Sequence, residues 1–365
     1  MKAAICHEFD KPVRVEEVTL DGPRRNEVRV RIAACGVCHS DLSVIRGILR
    51  SKLPCVLGHE GAGIVEDVGE GVTHVAPGDK VVLAWVMSCS TCFYCRIGKP
   101  QLCELGERIN KTNRMPDGST RVHQGKDDLW VFSAVGALAE EVVVPASAAV
   151  KLPADAPLEK CALLGCAVLT GVGAVFNTAQ VTPGSSVVVF GAGGVGLNAI
   201  QGAAIAGAER IIAVDAQPAK LELARRFGAT DVIDATKTDA VEAVRALTEG
   251  RGADYGFEAI GRTKTVEQAW ASVRKAGTCV AIGIGSMKES VSINALMLPM
   301  LEKRLLGCWY GSANVHVEVP RLLALYRRGK LKLDELVTRT YPLSAVNEAF
   351  ADMSSGANAR GVVTF

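Results

Sequence analysis

The sequence has little bias of charge, with 41 lysines and arginines against 39 aspartates and glutamates and a net charge of +2. Such a balance gives no electrostatic attraction to nucleic acid or to an anionic membrane, so neither is expected as a partner. No apolar run approaches the roughly 20 residues needed to cross a bilayer. The opening MKAAICHEFD lacks the apolar core of a signal peptide and has His7, Glu8 and Asp10 where one would continue, which points to a cytoplasmic protein. Internal repeats and low-complexity tracts are also missing. Cysteine, in contrast, is plentiful at 12 residues in a chain of 365, long enough for two cores. In a reducing compartment that many thiols argue for metal ligation rather than disulfides.

The stretch VVVFGAGGVGLNAIQGAAIAGAERIIAVD, from Val187 to Asp215, reads as strand, tight turn, helix and strand. Gly191, Gly193 and Gly196, with Gly194 and Val195 between them, form a GxGxxG turn that lets backbone N–H groups approach a pyrophosphate at the positive end of the next helix. Asp215 follows Gly196 by 19 residues, where a carboxylate would hold a ribose 2′-hydroxyl. That carboxylate would repel the 2′-phosphate of NADP and so favours NAD. Lys220 would be a further ribose contact, while Arg225 and Arg226 leave NADP open as the alternative. From about Thr170 the chain alternates strands and helices, with strand candidates at 187–190, 211–214, 231–233, 255–258, 278–284 and 305–309. Six segments are the count for a complete doubly wound sheet. Beyond about residue 310 a helix is expected over 320–328, followed by short strands.

Residues 1 to about 90 read differently. Val13–Val18, Glu27–Ile32, Gly63–Val68 and Lys80–Leu83 are short β-branched runs separated by turn residues, suited to a twisted antiparallel fold with function on its loops. One such loop is Cys35-Gly-Val-Cys38-His39-Ser40-Asp41, and His59-Glu60 lies 21 residues beyond Cys38. Taken alone, Cys35 and Cys38 fit a redox pair, and His59 an ordinary hydrogen-bonded histidine. Downstream, Cys89, Cys92, Cys95 and Cys103 place four thiols within fifteen residues. They can close tetrahedrally on one Zn²⁺ with no open position, the mark of a structural site. An iron–sulfur cluster also needs four cysteines, but nothing nearby suggests an electron-transfer partner.

Six motifs in order, GVCHSD (36–41), GHEGAG (58–63) with Gly69 and Val72, the cysteine cluster, GCAVLTG (165–171), GAGGVG (191–196) and RGVVTF (360–365), resemble those of the zinc-containing medium-chain alcohol dehydrogenases. The resemblance covers essentially the whole chain. It implies an α/β protein with a doubly wound parallel-sheet (Rossmann) cofactor domain over 168–309 and a discontinuous β-rich GroES-like catalytic domain over 1–167 and 310–365, with the active site between them. It also implies two zinc ions per chain, one catalytic on Cys38, His59 and Cys166 and one structural on the four-cysteine cluster, and NAD as cofactor.

The same resemblance implies roles for further residues. Glu60 stands behind the catalytic zinc, and Ser40 takes the alcohol proton and passes it to the nicotinamide ribose. Ser43 occupies the place of a histidine that completes the proton relay in many members, and a serine cannot act as a base near neutral pH. His39 and Arg360 are candidate pyrophosphate contacts, and Thr170 lies in the cofactor-binding set. Leu49, Trp85 and Phe132 match substrate-channel positions, giving an apolar, partly aromatic site. The implied activity is reversible hydride transfer between NAD and a primary, hydrophobic or aromatic alcohol or aldehyde. Alternatives are a thiol-adduct formaldehyde dehydrogenase and a relative that retains its NAD. The segment Ser43–Pro54 carries Arg46, Arg50 and Lys52 and no acid, which argues against a glutathione adduct. A non-catalytic member of the fold is disfavoured because the three ligands and Ser40 are all present. The polar, turn-rich stretch Thr112–Trp130 reads as a long loop of the kind that accompanies homodimers.

Overall fold

A computed structural model describes residues 1–365 apart from Arg50 and Ala357. Arg50, one of the three loop cations, therefore lies outside the described residues. The chain forms two compact units, one of Met1–Cys166, Asn314–Ala324 and Leu333–Phe365, the other of Ala167–Ala313 and Leu325–Lys332.

The first unit is built on antiparallel sheet. Its seven-stranded sheet centres on Glu27–Gly36, which pairs with Glu60–Val68 on one side and Arg360–Thr364 on the other. The pattern EVRVRIAACG alternates valines and isoleucine with arginines, so Val28, Val30 and Ile32 are buried and Arg31 is exposed. The pairing has a direct consequence for chemistry. Gly36 lies opposite both Glu60 and Val362, so three distant segments meet at the end of the strand.

The stretch 112–130 is more ordered than its composition suggests. It contains the short paired strands Val122–Gln124 and Asp127–Asp128, and it is pinned by Arg121, only 2% exposed. The Arg121 guanidinium donates through Nε to Glu27 Oε2 at 2.9 Å and through Nη2 to Asp117 Oδ2 at 2.9 Å. A buried cation satisfied by two carboxylates reads as a surface residue in sequence, which is why the stretch resembles an open loop.

The second unit is a six-stranded parallel sheet in the order Asp231–Asp234, Arg210–Asp215, Ser186–Phe190, Ala253–Glu258, Val273–Ala281, Arg304–Gly307. In sequence order this is 3-2-1-4-5-6, the doubly wound arrangement. Central strands such as Ser186–Phe190 are continuous apolar runs because helices cover both faces of a parallel sheet. The fifth strand begins at Val273 and ends at Ala281, earlier than the expected 278–284. It ends there because the amides of Ile282 and Gly283 both turn onto the carbonyl of Glu258.

The expected helix over 320–328 starts sooner, at Val315, and runs to Arg327 with Pro320 inside it. Proline is most at home in a first turn, which places the sequence expectation at Pro320. The actual first turn is anchored by the Asn314 carbonyl, which accepts from Val317 and Glu318. No single helix among the described residues is long and apolar enough to cross a membrane.

Candidate active site

Cys38 caps the helix His39–Ile45 in extended conformation, and His59 immediately precedes the strand Glu60–Val68. Gly58 has φ +94°, and a Cβ there would lie 2.2 Å from the Leu138 amide, so only glycine lets the chain turn into His59. Cys166 follows the short helical turn Ala162–Gly165. These elements bring Cys38, His59, Glu60 and Cys166 together with one ligand atom from each within 4.8 Å of the others.

The first unit thus holds its acidic ligands around a single buried point. Cys166 donates to Cys38, which holds the Cys38 thiol well below its ordinary value and the Cys166 thiol well above it. Burial pushes Glu60 up to about 7 against the opposing pull of Arg360. Burial also opposes a charged His59, yet Asp41 and Cys38 beside it raise its affinity for a proton well above normal. Glu60, His59 and Cys166 thus hold a proton more tightly than usual and Cys38 less tightly. His59 Nε2 and Glu60 Oε1 are buried and accept or donate no hydrogen bond. Two thiols, an imidazole and a carboxylate left in this state fit a Zn²⁺ ion, which takes thiolate and neutral imidazole in exchange for protons.

Asp41 has a part that sequence reasoning did not give it. It is fully buried, accepts from the Gly58 amide at 2.8 Å, and places Oδ2 3.1 Å from His59 Nδ1 as an ion pair rather than a well-directed hydrogen bond. A carboxylate behind a ligating histidine fixes which ring nitrogen faces the metal. The available signal was its spacing: Asp41 lies three residues after Cys38, so both fall on one face of the helical turn.

Arg360, expected at a pyrophosphate, reaches Glu60 Oε2 at 2.5 Å and the Val37 carbonyl at 3.0 Å through Nη2. It is only 6% exposed and belongs to the surroundings of the metal cluster. Ser40 Oγ lies 3.8 Å from Cys38 Sγ, at the cluster. The Ser43 carbonyl accepts from the amides of Ile48 and Leu49, closing the turn after the helix, and His39 is the exposed first residue of that helix. Trp85 and Phe132 stand edge-on to His59, with ring centroids 6.0 and 5.3 Å away. Leu49 packs on the same hydrophobic core. Lys52 lies over Trp130, on the neighbouring strand, rather than in open solvent alone.

The four cysteines at 89–103 form a second cluster, also within 4.8 Å. The Cys89 amide donates to Cys103 Sγ at 3.2 Å and the Cys92 amide to Cys89 Sγ at 3.3 Å, as expected where sulfur carries negative charge. A hydrogen bond from Thr91 brings Cys89 down to about 6, and burial carries Cys95 up to about 12. All four positions are protein sulfur, so a zinc ion here would have no place for substrate. The remaining cysteines apart from Cys35, namely Cys6, Cys55, Cys161, Cys279 and Cys308, are buried, and Cys35 is buried next to the catalytic cluster.

In the second unit, Gly193 caps the helix Gly194–Ile205, and its first turn is partly open to solvent. Gly196 is required by close approach, since a Cβ would lie 1.7 Å from the Gly191 carbonyl. Asp215 closes its strand with Oδ2 accepting from the Ala192 amide at 2.8 Å and Oδ1 from Gln217 at 2.9 Å. Its carboxylate is thereby tied to the glycine turn. Val195 and Thr170 lie on the packed helices Gly194–Ile205 and Ala167–Gly173, and Lys220 on Pro218–Arg226. A helix N-terminus without an acidic first turn, beside a strand-terminal carboxylate, fits a dinucleotide.

A metal centre of thiolate and imidazole on a GroES-like unit, joined in sequence to a Rossmann sheet, defines a zinc-binding dehydrogenase. Residues 24–154 match the alcohol dehydrogenase GroES-like domain and residues 194–328 the zinc-binding dehydrogenase family. The NDMA-dependent alcohol dehydrogenase of Amycolatopsis methanolica is 42% identical over 99% of this chain and 98% of its own. Alcohol dehydrogenase B of Mycobacterium tuberculosis is 38% identical over 100% of this chain and 98% of its own. Among solved structures, benzyl alcohol dehydrogenase from Acinetobacter calcoaceticus superposes with a TM-score of 0.95 at 32% identity, covering 100% of this chain and 99% of its own. The chain belongs to the zinc-containing medium-chain alcohol dehydrogenases.

Proposed function

We propose that this alcohol dehydrogenase interconverts primary alcohols bearing an apolar or aromatic group with their aldehydes, using NAD. The observation that carries the reading is the Cys38, His59 and Cys166 cluster with Trp85 and Phe132 standing edge-on to its histidine. Zinc bound there would supply Lewis acidity toward an alcohol or carbonyl oxygen, and the dinucleotide a hydride acceptor. The chain supplies the rest. Cys38, His59 and Cys166 would hold the ion, and Asp41 orients the His59 ring. Arg360 compensates Glu60, and the Ser40 hydroxyl relays the alcohol's proton, giving up its own as it takes this one. With Ser43 in place of a base, that proton leaves to water. The aromatic edges favour a flat, apolar substrate and keep water from the site.

Asp215 supports NAD over NADP, since its carboxylate caps the strand beside the glycine turn with no cation at Ala216 to receive a phosphate. The name of the Amycolatopsis relative favours a second reading of the cofactor, in which hydride passes to an acceptor such as NDMA from dinucleotide that stays bound. A homodimer is supported by the edge strand Arg304–Gly307, whose outer side has no partner strand among the described residues, and by the exposed Leu296 (61%) and Met300 (63%) preceding it.

The test compares kcat/KM of the zinc-loaded protein for benzyl alcohol, a long-chain alcohol and formaldehyde with glutathione, each with NAD or with NDMA as acceptor. Free alcohols are expected to exceed the thiol adduct. Preference for the adduct would sink the apolar-pocket reading. Turnover with NDMA but no NADH in solution would replace releasable NAD by retained dinucleotide.

A further inference from the structure

Asn113 ends the helix Glu104–Thr112, whose N-terminal cap is Cys103 of the four-cysteine cluster. It is 2% exposed and left-handed, with φ 52° and ψ 39°. Asparagine is a common left-handed helix end, and that alone would account for the backbone. The side chain does more. Its Oδ1 accepts from the Ser133 amide at 2.9 Å, its Nδ2 donates to Ser51 Oγ at 2.9 Å, and its carbonyl accepts from the Val131 amide at 3.2 Å. Three segments of the first unit therefore close on one residue: the helix leaving the cysteine cluster, the loop between the Cys38 and His59 motifs, and the turn at 131–134.

That turn carries Phe132, whose ring meets His59 edge-on at 5.3 Å. The amides on both sides of Phe132 are the two that Asn113 accepts. The two residues after it, Ser133 (φ 52°) and Ala134 (φ 51°), are buried, non-glycine and left-handed, a conformation that persists only where its surroundings hold it. Glycine would adopt this backbone unaided, but neither position is glycine. The latch must come from a partner that offers an acceptor to Ser133 and a donor to Ser51 at once. A carboxamide does so; a carboxylate has no donor, and an aliphatic side chain has neither.

We infer that Asn113 is a positioning residue which sets the Phe132 wall against His59 and thereby decides how well a ring-bearing alcohol is accepted over a small one. The substrate part rests on reading Phe132 as a pocket wall, as proposed above. Because helix Glu104–Thr112 runs from Cys103 to Asn113, the cysteine cluster and the pocket wall share one rigid connector.

The test uses the full-length, zinc-loaded protein with two readouts. Amide hydrogen exchange over 130–136 reports the latch without substrate, and the ratio of kcat/KM for benzyl alcohol to that for ethanol reports the wall. Asn113→Gly keeps the left-handed backbone open and removes the side chain. It is expected to speed exchange at Ser133 by about tenfold or more, the scale of one lost buried hydrogen bond, and to lower the substrate ratio about tenfold through the KM for benzyl alcohol. The kcat for ethanol should stay within about twofold, a split that general destabilisation does not produce. Asn113→Asp keeps the Ser133 acceptor but loses the donor to Ser51 and buries a charge, so exchange at Ser133 should rise, but less than in Asn113→Gly. If Asn113→Gly does not fold, Ser51→Ala removes one arm of the latch and should shift the ratio about threefold in the same direction. Unchanged exchange at Ser133, or an equal fall for both alcohols, would overturn the inference. If wild type shows no preference for benzyl alcohol, the wall reading fails instead, and exchange alone decides the role of Asn113.

Discussion

Asp41 and Cys166 show how single residues divide the work of the catalytic cluster. Asp41 is fully buried, and its carboxylate lies beside the His59 ring and ties the Gly58 amide to the same point. Asp41→Asn should therefore weaken zinc binding by about 10- to 100-fold with the fold retained, read by competition with a chromophoric chelator. Undiminished affinity would remove Asp41 from the metal's support. Cys166 is one of the three ligands proposed for the open site, and it is not part of the four-cysteine cluster. Cys166→Ala is expected to abolish turnover while the protein keeps a cooperative thermal transition and one zinc per chain. Normal turnover in this variant would refute the ligand assignment. Both residues sit in motifs visible in sequence, but only Cys166 came with a role. Asp41 needed the fold, because its partner Gly58 lies 17 residues away on another element.

Elements carry stability through a few ties that hydrophobic patterning does not display. Asp254, on the fourth strand of the parallel sheet, accepts from Ser186 N and Oγ, both at 2.7 Å, and from Arg274 Nε at 2.6 Å, linking three neighbouring strands. Burial opposes its charge, but these donors outweigh burial and hold the carboxyl below its ordinary value of 3.8. Its stabilisation is thus complete above that value and is lost as pH falls through the depressed native one. Asp254→Asn should cost about 1–3 kcal/mol at neutral pH. In denaturant titrations the gap to wild type should hold from pH 7 to about 4.5 and narrow only below the ordinary carboxylate value. A gap that closes already at pH 6 would assign the effect to another group. Strand and helix positions in this unit were readable from runs such as Val187–Phe190, because burial on both faces leaves a continuous apolar signal. The early start of the helix at Val315 was not, since a backbone carbonyl at Asn314 leaves no mark in composition.

For the whole molecule, two ligand sets imply two zinc ions per chain, and metal analysis of the purified protein should return that number. A value of one, lost together with activity, would mean the four-cysteine cluster stays empty. The edge strand Arg304–Gly307 is expected to pair with a second copy, giving a dimer in sedimentation. Leu305→Lys places a charge on that edge and should shift the protein toward monomer. A monomeric wild type would remove the basis for this assembly.

The sequence by itself determined the parts whose ligands or signals are local. Four cysteines within fifteen residues can converge without knowledge of the fold, and the glycine turn with its flanking strands names its own conformation. Cys38, His59 and Cys166 were reachable only through resemblance, because an open metal site draws ligands from separate loops. Tertiary structure alone decided the couplings across long separations: Arg360 to Glu60 over 300 residues, Arg121 to Glu27 over 94, and Asn113 to Ser51 over 62. The reason is physical. A buried polar side chain is tolerated only when its partner arrives from elsewhere in the fold, and sequence spacing does not record which segments the sheet brings side by side.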